Sequence, residues 1–124
     1  MTGVQTCALP IFGKTNIAAR MAGNTVPVMS HMAVGTGNTT VSLADTTLSA
    51  ELARVSLGTA GGTPSSNTVT YSATFPADTG TGALQEAGVF SADSSGTMMC
   101  RTVFPVINKQ AADSITITWV VSIS

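Results

Sequence analysis

A two-residue alternation dominates the C-terminal half of the chain. Ile115, Ile117, Trp119, Val121 and Ile123 fall on one side of Ser114–Ser124, with Thr116, Thr118, Val120 and Ser122 on the other. Successive side chains of a strand point to opposite faces, so this pattern predicts a strand with one buried face. Val69, Tyr71, Ala73 and Phe75 alternate in the same way with Thr68, Thr70, Ser72 and Thr74. Further strands are predicted over Val28–Val34, Ala53–Thr59, Ala83–Ser91 and Thr97–Phe104. Gly88 interrupts one of them and predicts a bulge or a close backbone approach. Asp-Ser-Ser-Gly within Ala92–Gly96 supplies the turn chemistry of a hairpin. Gly35–Thr47, Ala60–Ser66, Pro76–Gly82 and Pro105–Asp113 read as turns or loops. A helical turn is predicted over Leu48–Leu52, with Thr46 or Thr47 as N-cap.

One segment follows a different period. Phe12, Ile17, Ala18 and Met21 lie near one stripe at helical spacing, and Gly23 is a natural stop, so Phe12–Gly23 predicts a short helix. Several short strands separated by Gly, Pro and Ser turns predict a mainly β fold. The expected architecture is an antiparallel β-sandwich or barrel with a short N-terminal helix. No internal boundary or tandem repeat breaks this single unit.

Composition narrows what the fold does. Charged residues make up 9% of the 124 residues and hydrophobic residues 44%, against about 25% charged in ordinary soluble domains. Charge is what usually keeps sheet edges apart, so a surface of Ser, Thr, Ala and Gly suits a protein whose faces meet other proteins. The formal net charge is −1, with no basic patch to support nucleic-acid binding. No apolar run reaches the roughly 18 residues of a membrane helix.

Candidate chemistry is sparse. His31 is the single histidine and has no evident partners for a metal site. Ser30 and His31 are neighbours, which on a strand predicts side chains on opposite faces and no nucleophile–base pair. Asp45, Asp78, Asp93 and Asp113 fall where turn and cap roles are ordinary. Gly35-Thr36-Gly37 lacks the third glycine and the lysine of phosphate-binding loops. Met98 and Met99 read as core or interface filling. No catalytic, cofactor-binding or metal site is expected. Arg54, Glu86, Arg101 and Lys109 remain, because their neighbours are apolar. A structural polar network in which Glu86 pairs with Arg54 or Arg101 would reconcile them with burial, the alternative being a polar anchor at an intersubunit contact.

The first eleven residues, Met1–Ile11, follow another logic. They read codon by codon as a translated short-read sequencing adapter, with GTG as the initiator. They are expected to be a non-native leader that packs poorly or dangles and can be deleted without weakening the fold, with residues 12–124 forming the domain. On that reading Cys7 is not a native residue. Cys100 is then the lone cysteine, and no intrachain disulfide is expected.

From Met32 onward the chain resembles small virion proteins and tail-fibre or collar-type domains of tailed bacteriophages. The carrying residues are Met32–Gly37, Ala44–Leu48, Glu51–Arg54, Val69–Phe75, Leu84–Phe90, Gly96–Arg101, Phe104 with Lys109, and Asp113–Ile123. Phe12–Gly23 is similar to the N-terminal helix of that family. The resemblance implies a non-enzymatic structural component of the virion, made in the host bacterial cytoplasm. It implies assembly with itself, a trimer being one candidate state, and with other virion proteins. Tail fibre, baseplate and head decoration stay open. The alternative is a carbohydrate-binding or adhesive β-sandwich, which would need exposed aromatic rings. No cofactor, nucleic-acid or membrane partner is expected.

Overall fold

The computed structural model describes residues 4–5, 10–58 and 61–122. The chain runs through β1 (Val4–Gln5), α1 (Ile11–Met21), β2 (His31–Gly35), β3 (Glu51–Ser56), β4 (Thr63–Ser65), β5 (Thr68–Phe75), β6 (Gly82–Phe90), β7 (Met98–Lys109) and β8 (Ile115–Ser122). The strands form two four-stranded sheets, ordered β1-β8-β5-β4 and β3-β2-β6-β7. Every pairing is antiparallel except β1 with β8. The fold is mainly β with one short helix, as expected, and the sheets do not close into a barrel.

The period-2 pattern sets what each sheet buries. On β5, Tyr71, Ala73 and Phe75 turn inward, and on β8, Ile115, Ile117, Trp119 and Val121 do the same. In-register pairing aligns the two rows, with Tyr71 opposite Trp119 and Phe75 opposite Ile115. The second sheet contributes Met32, Val34, Leu84, Ala87, Val89, Met99 and Cys100 to the same core. Such side chains contribute roughly 1.5–3 kcal/mol each when fully buried. Met98 and Met99 are both buried, so both serve as core. The indole nitrogen of Trp119 is buried and meets no hydrogen-bond partner among the described residues.

Several boundaries differ from the pattern-based expectation. No helical turn forms at Leu48–Leu52. The backbone N–H groups of Ser49 and Ala50 donate to the Glu86 carboxylate instead, and Glu51 opens β3. The segment expected as a loop from Pro105 is strand as far as Lys109, since Ile107 and Asn108 pair with Leu84 and Ala83. Pro105 sits in the irregularity between the Leu84–Ile107 and Glu86–Val103 pairs, where a residue without N–H is tolerated on an edge strand. Thr63–Ser65, expected as turn, forms β4 against Thr68–Thr70. Gly88 holds regular register with Ala33 and Arg101, so it is not a bulge. It is a close approach: a Cβ there would lie 3.0 Å from both Leu48 and Phe90 side-chain atoms.

The helix starts one residue early, at Ile11, with buried Pro10 as its N-cap residue. Proline's fixed φ and missing N–H suit it to a helix entry, where the first N–H groups have no intrahelical acceptor. Pro10 accepts from Lys14 N at 3.0 Å, and Ile11 N donates to Leu43 O at 2.8 Å. Gly13 lets α1 lie directly on the Met99 carbonyl, which a Cβ would strike. Nearer the start of the chain, Val4 and Gln5 pair with Thr118 and Trp119. Residues 1–3 and 6–9, Cys7 among them, lie outside the described residues, as do Ile123 and Ser124.

Candidate functional site: a buried ionic clamp on two loops

Glu86 points from the middle of β6 and is fully buried. A buried carboxylate is costly unless its lone pairs are engaged. Here they are. Oε1 accepts from Ser49 N at 2.8 Å and from Arg101 Nε at 3.0 Å. Oε2 accepts from Gly37 N at 2.9 Å and Ala50 N at 2.7 Å. The carboxylate therefore ties both ends of loop 36–50 to the sheet. Gly35 and Gly37 make room for it, since a Cβ on either would lie 2.6 Å from Oε2. The Gly-x-Gly that fits no phosphate loop is a cradle for a side chain of the protein itself.

Arg101 of β7 completes the clamp. Its side chain donates from Nη1 to Asp45 Oδ2 at 3.1 Å and from Nη2 to Thr39 O at 2.9 Å. The arginine thus grips the middle of the same loop. Asp45 also accepts from Ser42 N at 2.9 Å. Asp45 looks like an ordinary turn residue in sequence. Its second role is invisible there because its partner is 56 residues away.

Arg54 belongs to a separate arrangement. It meets Glu51, not Glu86, through Nε at 2.9 Å and Nη2 at 2.7 Å. The guanidinium lies 3.8 Å from the Phe90 ring centroid, a stacked cation–π geometry. Nη1 donates to Ala92 O and Ser95 O, both at 2.9 Å, which fixes the turn between β6 and β7. Lys109, also buried, stands apart at the other end of β7 and donates to Pro76 O at 2.9 Å. The four sequence-nominated residues therefore serve three places, and one direct pair, Glu86–Arg101, joins two of them.

Ser30 and His31 correct an expectation. Ser30 precedes β2 instead of lying within it, so strict alternation does not apply, and its hydroxyl meets His31 Nδ1 at 2.8 Å. The three ion pairs of the described residues all lie in the two arginine arrangements, and none involves His31. No group of three or more His, Cys, Asp or Glu among the described residues has metal-holding geometry. No helix among them is long and apolar enough to cross a membrane. Of the six aromatic residues, Phe12 alone is classed as exposed.

These features define a small antiparallel β protein in which charge is used to fix loops. The family model for the phage tail-collar fibre protein, N-terminal, matches residues 1–124. The chain belongs to that family, and is a structural tail-fibre component of a bacteriophage virion. No curated protein sequence matches it.

Proposed function

We propose that this chain is a non-enzymatic module of the tail fibre or baseplate that acts through protein–protein contacts with copies of itself and with other virion proteins. The observation that carries the reading is where the ionic groups go. Glu86, Arg101 and Arg54 bond to backbone of the protein's own loops, 36–50 and 91–97, and hold them on the sheet. A rigid, sparsely charged surface lowers the ordering cost of association. Of the five Lys and Arg residues, Lys14 and Arg20 are the two left exposed. That is too little positive charge to grip a phosphate backbone. Synthesis in the host bacterial cytoplasm before assembly accords with this role.

Immunogold labelling of intact phage particles tests the assignment. Label is expected at the tail or collar. Label over the capsid would replace the fibre reading with head decoration, and absence from purified particles would remove the virion role.

A further inference from the structure

The outer side of the clamp opens into a cleft of 260 Å³. Asp45, Thr46, Thr47 and Ser49 of loop 36–50 line it, with Thr39 and Arg101. The bonds of the clamp do not use up these groups. A guanidinium carries five N–H donors. Arg101, 2% exposed, places three of them, on Glu86, Asp45 and Thr39 O. The other two have no acceptor among the described residues. Asp45 turns Oδ2 to Arg101 and to Ser42 N. Its Oδ1 is left as an acceptor with no donor among the described residues. Thr46 and Thr47, both exposed, present hydroxyls on the same wall.

The charges narrow what can enter. Glu86 and Asp45 both pair with the single guanidinium of Arg101. An incoming anion would meet two carboxylates, and a metal ion would meet a guanidinium. A neutral molecule that donates to Asp45 and accepts from Arg101 suits both. A hydroxyl does each, and neighbouring hydroxyls on a sugar ring do both at once.

We propose that this cleft binds a saccharide, with a pair of adjacent ring hydroxyls bridging Asp45 Oδ1 and the unused N–H groups of Arg101. Thr46 and Thr47 add hydroxyl contacts at the rim. The cleft is just below the roughly 300 Å³ at which pockets for drug-sized ligands begin, so it takes one ring. Thr46 also lines the neighbouring cleft, where Phe12 stands 53% exposed. The apolar face of a second sugar unit can lie on that ring. The site is held ready, because Ser42 N fixes Asp45 and Glu86 holds Ser49 N and Ala50 N. Little ordering is left to oppose binding, and sugar hydroxyls reproduce the bonds of the water they displace.

Heteronuclear NMR of the whole ¹⁵N-labelled chain tests this, with glucose, mannose, rhamnose and N-acetylglucosamine as probes. At least one sugar is expected to shift the amides of residues 44–49 saturably, at millimolar concentration. Thr46→Val with Thr47→Val should weaken that binding about tenfold or more, and Asp45→Asn should do the same. Ser72→Val removes an exposed hydroxyl from the other sheet and should leave binding unchanged. Circular dichroism melts confirm that each variant is folded. Short oligomers of the sugar that binds separate the two sources of such a ligand. A gain of about tenfold over the single sugar, lost in Phe12→Ala, assigns the site to a surface polysaccharide, and equal affinity assigns it to a free sugar. Shifts at these residues with acetate or phosphate and with none of the sugars overturn the proposal in favour of an anion site. No shift with any sugar, or shifts confined to other parts of the chain, overturns it outright. Tail labelling of phage particles reads the virion role separately in every case.

Discussion

At the residue scale, Glu86 carries the most consequence per atom. Its carboxylate is the shared acceptor for three backbone N–H groups and the Arg101 guanidinium. Removing it leaves three part-buried backbone donors without an acceptor and Arg101 without its most deeply buried partner. Glu86→Ala is therefore expected to destabilise the chain by about 3–5 kcal/mol, read as a shift in the urea midpoint. A change below about 1 kcal/mol would mean that water replaces the carboxylate at little cost. Tyr71 offers a second test. Burial raises its hydroxyl above the ordinary 10.0, and the Cys100 thiol adds to the rise. The folded state then keeps the phenolic proton longer than the unfolded chain. Stability is expected to be whole below about pH 10 and to fall as pH climbs from there toward the folded-state value. Tyr71 is the single tyrosine, so its absorbance titration reads it alone. Tyr71→Phe should flatten the alkaline fall in stability. An equal fall in both proteins would assign it to other groups.

At the element scale, the edges of the sheets show how a sparsely charged surface is protected. β7 bears Pro105 within an irregular stretch, β4 is three residues long and contains Pro64, and β3 carries Glu51 and Arg54. Proline, irregularity and charge each discourage pairing with another chain. The leader bears on the remaining edge, where Val4 and Gln5 lie parallel to β8. On the proposal that Met1–Ile11 is non-native, a chain beginning at Pro10 keeps the bonds that start α1, Lys14 N to Pro10 O and Ile11 N to Leu43 O. It is expected to lose less than about 1 kcal/mol, the net worth of one or two backbone hydrogen bonds. Paired urea melts decide this. A loss of several kcal/mol would make the leader an integral strand and sink the non-native reading. The element boundaries also show what periodicity reaches. β5 and β8 are legible because each has one buried face and one polar one. The second half of β7 is not, because Pro105 reads locally as a stop and its pairing with Ala83 and Leu84 is set from 23 residues away or more.

At the scale of the whole molecule, the sequence by itself determined the mainly β class, the helix, the inward rows of β5 and β8, and the exceptional status of Glu86, Arg101, Arg54 and Lys109. These follow from local period and from the cost of placing charge among apolar neighbours, both readable along the chain. Tertiary structure alone decided the partners. It gave Arg54 to Glu51, gave Asp45 to Arg101, turned Gly35 and Gly37 into a cradle for Glu86, and set Phe12 beside an uncharged hollow. Those outcomes depend on which strands become neighbours and in which register. Contacts between residues 36 to 62 positions apart, such as Ala50 and Arg101's Thr39 with their clamp, are fixed by sheet order and loop path. Neither quantity is written in the spacing of residues along one segment.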